Sequence, residues 1–189
     1  MPIRTTRKQR ASAGLTGIGL LAWLLIGLAA AGTSALGDLD EATLADLKSV
    51  FPNAERFVPR GGSLPHYRVY RGGGAKAQEL LGFAYYTTDI EKLEKGYKAP
   101  INFLVGMTVA GQITHIKLIE HDEPYGYFSI ETESFQAQFS NKSILDRFRI
   151  GRDIDAISSA TITIASASRG IRNSGRRIAR QYLAETGDT

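Results

Sequence analysis

The chain has 189 residues, room for one modest domain with a real core plus accessory segments. It has no cysteine, which excludes disulfides, thiolate-bound zinc, cysteine-held iron–sulfur clusters and a lipoprotein anchor, so any redox role needs a bound organic cofactor. The net charge of +4 arises from Arg4, Arg7, Lys8 and Arg10, all ahead of the first acidic residue, Asp38; setting these aside leaves 19 Lys and Arg against 19 Asp and Glu, and a neutral body gives no argument for nucleic-acid binding.

Residues 15–35 form a charge-free apolar run that includes Trp23. About 20 such residues cross a hydrocarbon core, and the basic residues ahead of the run place residues 1–14 in the cytoplasm and the body outside. The expected protein is therefore single-pass in the cytoplasmic membrane, with its body facing the periplasm or exterior. A cleaved signal peptide is the competing reading, because Thr33-Ser34-Ala35 offers a small-residue cleavage site. The run exceeds an ordinary signal core, which favours a retained anchor.

The body is taken as one domain over residues 38–189. Residues 38–51 read as a short amphipathic helix, with Leu44, Leu47 and Phe51 at helical spacing and Pro52 closing it. Residues 66–71 and 80–87 read as strands on either side of a turn at Gly72-Gly73-Gly74. Residues 91–98 are charged and read as an exposed turn. Two further strands are expected at 101–109 and 112–120 around Ala110-Gly111; alternation in the second is imperfect, which leaves its register loose. Residues 130–139 and 144–148 are ambiguous and are candidates for short helices.

The clearest helix covers residues 160–184. Ile164, Ala167, Ile171, Ile178 and Tyr182 form an apolar stripe that should pack on the sheet. Arg169, Arg172, Arg176 and Arg180 form a second stripe, read first as a solvated basic face and otherwise as a dock for an acidic partner or lipid headgroups. The fold class expected is α+β, a small antiparallel sheet with packed helices, on one N-terminal transmembrane helix.

Directly before this helix stands Asp155-Ala156-Ile157-Ser158-Ser159-Ala160-Thr161. A helix N-terminus leaves N–H groups unpaired and carries partial positive charge, so it is suited to a phosphate. The pattern D-x-x-S-x-A-T resembles the flavinylation motif of the RnfG and NqrC family of FMN-binding domains, in which FMN is joined to a threonine through its own phosphate. Ser159 stands where that family usually has glycine. The resemblance continues upstream in the same order: Gly96-Tyr97, Val105-Gly106, Gly111, Glu120-His121-Asp122-Glu123, Gly126 and Gln138-Phe139. In the loop, Pro124-Tyr125-Gly126-Tyr127-Phe128 replaces the family's Thr-Pro-Gly-Leu-Gly, which points to a branch near the FMN domains of NosR-type membrane proteins.

The resemblance implies covalent FMN on Thr161, with Ser158 giving a hydroxyl and Ser159 and Ala160 lying in the phosphate-holding turn. Asp155 would serve recognition by a flavin transferase or support the attachment loop. Glu123, Tyr125 and Gly126 would border the flavin, with Tyr127 and Phe128 as further stacking area. Simpler readings stand beside these: Ser158 and Thr161 as helix caps, Asp155 as a turn residue, the aromatics as core. Thr163 is the nearest rival acceptor. His121, Asp122 and Glu123 invite a metal reading, disfavoured because the chain has three histidines and no second ligand cluster. The function implied is electron transfer outside the membrane, as one component of an Rnf- or Nqr-like redox complex or as a stand-alone carrier for another membrane reductase. Its partners would be the other proteins of that membrane redox complex or other electron carriers. A non-redox sensor or interaction domain is the alternative of another class. No nucleophile–base constellation for hydrolase or transferase chemistry is evident.

Overall fold

The computed structural model describes residues 39–72 and 78–187. The apolar run at 15–35 lies outside them, as do Gly73 and Gly74; among the described residues no helix is long and apolar enough to cross a membrane.

The first helix, α1 (Glu41–Val50), begins where Asp40 accepts the Thr43 N–H and ends at Phe51. An acidic side chain there satisfies one of the orphan donors of the helix start. Five strands follow in a meander, β1 (Arg56–Arg60), β2 (His66–Arg71), β3 (Glu79–Tyr86), β4 (Asn102–Thr108) and β5 (Ile113–Glu120), each antiparallel to its sequence neighbour. Between β3 and β4 lie a single helical turn, α2 (Thr87–Ile90), and the charged loop. After β5 come a 3-10 turn at Gly126–Phe128, the short α3 (Glu133–Ala137) and the long α4 (Thr161–Gly187).

Alternation along the strands feeds two cores. Phe83 and Tyr85 of β3 and Phe103, Val105 and Met107 of β4 face α4, together with Ile164, Ala167, Ile171 and Ile178 from the helix. Ala84 and Leu104 face the other way, onto Leu47, Val50 and Phe51 of α1. The expected apolar stripe of the last helix thus packs as read, and Tyr182 closes it edge-on against Phe83.

The imperfect alternation of β5 has a structural cause. Val105 pairs with Ile116 but Met107 pairs with Ile113, so three steps on β5 oppose two on β4. This bulge brings Ile113 and Ile116 to the same core although they are three apart in sequence.

Three expectations need correction. The strand β1 was not foreseen: it lies at the edge of the sheet and carries Pro59, which an edge tolerates because no ladder hydrogen bond is lost on the open side. Residues 144–148 are not helical, since Ser143 bridges to Gln112 and Phe148 takes a left-handed φ of 51°. The arginine stripe is not a solvated face. Arg172 donates to the Arg147 carbonyl at 2.7 Å, and Arg176 donates to the carbonyls of Ile144, Leu145 and Asp146. Arg169 pairs with Glu94 at 2.8 Å. Of the four, Arg180 alone has no such contact among the described residues.

Candidate cofactor-attachment site

One end of the sheet gathers three segments distant in sequence: the loop 94–99, the loop 121–126 and the first turn of α4. Glu123 joins them. Its carboxylate accepts the N–H groups of Tyr97 and Lys98, each at 2.8 Å, and of Ala99 at 3.2 Å, and it accepts the hydroxyl proton of Thr163. Glu123 is 6% exposed and Thr163 2%. Burial alone would raise the Glu123 pKa, but the Thr163 hydroxyl and the three backbone donors outweigh it and hold the carboxyl below its ordinary range.

Close approach explains two glycines of this end. A Cβ on Gly96 would stand 2.5 Å from Glu123 Oε1, and one on Gly126 would stand 2.2 Å from His121 Cε1. The His121 ring fills that space for a reason. Its Nδ1 accepts the Glu123 N–H at 3.0 Å, leaving Nε2 to donate to Glu131 at 3.1 Å. Both His121 and Glu123 are therefore engaged with the chain's own groups.

The start of α4 has a different character. The residue before it, Ala160, has no side-chain oxygen and is buried at 1%. The helix carries no acidic residue in its first turn. The first helical hydrogen bond runs from the Ile164 N–H to the Ala160 carbonyl, and the N–H groups of Thr161, Ile162 and Thr163 find no acceptor among the described residues. Ser158 and Thr161 are exposed, and neither hydroxyl has a partner among the described residues. Neither caps the helix. Ser159 is held at a φ of 69°, in the left-handed region that glycine enters without a Cβ penalty. The family's usual glycine at this position thus has a backbone reason, and the serine here bears the strain.

Asp155 is exposed, and its N–H donates to Gln138 Oε1 at 2.7 Å, tying the motif to the Gln138-Phe139 segment. Tyr125 and Tyr127 are exposed, Tyr127 at 68%, while Phe128 is half-buried between them. Tyr97 and Ile162, also exposed, add apolar area on the same loops and helix turn. The structure brings Glu123, Gly126 and Tyr125 to the end of the sheet where α4 begins. It separates Glu123, turned inward, from Thr161, turned out.

Two participants escaped sequence reasoning. Glu94 receives the Ser166 hydroxyl at 2.9 Å as well as Arg169, so the loop read as an exposed turn is fastened to α4. The burial of Thr163 was the other. A signal for both existed: Thr163, Ser166 and Gly170 form a small-residue stripe at helical spacing, which lets a loop ride close on the helix.

Residues 96–175 match the family model described as the FMN-binding domain. Over this segment the chain resembles the FMN-binding domain family. Over 172 residues the chain is 28% identical to the regulatory protein NosR of Pseudomonas aeruginosa, across 85% of this chain and 23% of that protein. Over 125 residues it is 25% identical to the regulatory protein NosR of Stutzerimonas stutzeri, across 60% of this chain and 17% of that protein. The chain therefore spans less than a quarter of the length of these curated relatives. This distant similarity to NosR agrees with the direction in which the Pro124–Phe128 loop pointed.

The residues present fit an FMN phosphate on the criterion that matters for an anion. A 27-residue helix begins, among the described residues, with three unpaired N–H groups, no capping oxygen and no acidic side chain in its first turn. Hydroxyls at Ser158 and Thr161 flank that opening.

Proposed function

We propose that this chain is a membrane-anchored electron-transfer flavoprotein that carries FMN on Thr161 through a phosphoester bond. The observation that carries the reading is the contrast between the two threonines of the motif. Thr163 is buried with its proton committed to Glu123, whereas Thr161 is exposed at the open helix start. An enzyme adding a phosphate-linked group needs an accessible hydroxyl, and Thr161 supplies it.

The attachment forms an Oγ–P bond and releases the Thr161 hydroxyl proton. Free FMN would have to expel water from its own phosphate, so the donor must be a phosphoanhydride of FMN, from which a second phosphate departs. A flavin transferase is thus an implied partner, and exposed Asp155 is placed to be read by it. The unpaired N–H groups of the first turn then hold the bridging phosphate, with the Ser158 hydroxyl beside them. Attachment at the phosphate leaves the ring system chemically unmodified, and exposed Tyr97, Tyr125, Tyr127 and Ile162 provide apolar area around it. Bound flavin supplies transfer of electrons singly or in pairs, which suits a junction between unlike carriers.

Residues 15–35 hold the domain at the membrane in this account, and the positive N-terminus sets it outside the cytoplasm. Its partners are the other proteins of a membrane redox complex or other electron carriers. The relatives are named regulatory proteins, which favours a second reading, a signalling domain with this fold. Intact mass and in-gel fluorescence of the full chain, produced with and without a flavin transferase, separate the two. Flavin retained through denaturation supports the carrier; a chain of unmodified mass beside an active transferase supports the sensor.

A further inference from the structure

We infer that Glu123 and Thr163 form a positioning lock that sets the first turn of α4 so that Thr161 is presented to the transferase. This rests on the reading of Thr161 as the acceptor.

A carboxylate has about four lone-pair sites. On Glu123 they meet four donors: the N–H groups of Tyr97, Lys98 and Ala99 and the Thr163 hydroxyl. Glu123 has no capacity left for a ligand, so its part in the site is to position. What it positions is the helix start, which is packed through Ala160 and Ile164 but has few other polar contacts. Ala160 packs into the core and its N–H reaches the Ile157 carbonyl at 3.1 Å; beyond these, Asp155 is tied to Gln138. Ser159 sits in a left-handed conformation that favours rearrangement if the turn is released.

Helix geometry does the rest. Successive residues advance about 100° around the axis, so Thr161 and Thr163 point to opposite sides. Pinning Thr163 inward on Glu123 turns Thr161 outward. The same pin keeps the unpaired N–H groups of residues 161–163 aimed at one point. Thr163 is a positioning residue and Glu123 its anchor.

The test uses the full chain with a flavin transferase. Initial rates of flavin incorporation are measured against chain concentration, at a temperature where circular dichroism shows each variant fully folded. Thr163→Val keeps the shape and removes the donor; Thr163→Ser keeps the donor. The lock predicts that Thr163→Val loses at least tenfold in kcat/KM, mostly in kcat, while Thr163→Ser stays within twofold of the wild type. Glu123→Gln should resemble Thr163→Val, and the double variant should be no slower than the worse single one, because both break one contact. Wild-type rates in folded Thr163→Val, or equal slowing by Val and Ser, overturn the lock.

Peptide mapping of the wild type separates this from the underlying reading. Flavin on Thr163 ends the acceptor assignment; flavin on Thr161 with wild-type rates in all variants ends the lock alone. Amide exchange of the unaltered chain needs no substitution. The lock predicts slow exchange at Tyr97, Lys98 and Ala99, and fast exchange at all three contradicts it.

Discussion

Arg176 Nε donates to the carbonyl of Ile144 at 2.6 Å, from a helix to an irregular segment 32 residues earlier. Its Nη2 reaches the next two carbonyls, of Leu145 and Asp146. The guanidinium fork thus supplies acceptor-only groups with donors in place of a helix or sheet ladder. Hydrogen bonds to charged groups are worth about 1.5–3 kcal/mol. Arg176→Met should lower unfolding stability by about 1–3 kcal/mol in urea, whereas Arg180→Met should stay within about 0.5 kcal/mol. Equal effects from the two would return the stripe to a solvated face.

Ser159 bears a left-handed backbone in the turn before α4. Glycine there avoids the Cβ penalty but adds freedom to the unfolded chain, which leaves a net gain of about 0.5–1 kcal/mol. Ser159→Gly is expected to raise Tm by a few degrees with flavin incorporation intact. A lower Tm would mean that the serine side chain itself stabilises the turn.

Stability should depend on pH through Glu123. Its folded pKa is depressed, so its contribution is present above the unfolded value, about 4.3 for a glutamate, and is lost as pH falls through the folded value. Chemical denaturation from pH 7 down to pH 3 should therefore show a decline that is shallower in Glu123→Gln, which starts lower. Parallel acid limbs in the two proteins would remove Glu123 from the acid response.

Gly96 allows the loop 96–99 to close on Glu123. A methyl group 2.5 Å from a carboxylate oxygen that is held by four donors must push the loop away. Gly96→Ala is expected to lose about 1–3 kcal/mol, in the range of overpacked sites. Slowed flavin incorporation should accompany it. Unchanged stability would show that the loop can shift without cost.

Much of the fold was legible because local pattern and global packing agree. The stripe from Ile164 to Ile178 is a core face by spacing alone, and β2 falls on residues 66–71, where a strand ending at the glycine turn was expected. The edge strand β1 was hidden by Pro59 and by a pattern with Phe57 as its one buried residue. The bulge in β5 was visible only as a defect in alternation, because its cause is the pairing with β4. In the site, sequence supplies the open helix start and two threonines two residues apart. Residue type and helical spacing do not tell them apart; the motif resemblance favours Thr161, and in the fold what separates them is Glu123, 40 positions away from Thr163. Arg172 and Arg176 were misread for the same reason: their partners are backbone carbonyls, which no residue type announces.

The central claim is that Thr161 is the residue bearing FMN. The most direct measurement is tandem mass spectrometry of the peptide spanning residues 153–169, from full-length chain purified after production with a flavin transferase. The account predicts an FMN phosphoester on Thr161, absent from Thr161→Ala protein that melts as the wild type does. The modification on Thr163 or Ser158, or an unmodified peptide beside an active transferase, would contradict it.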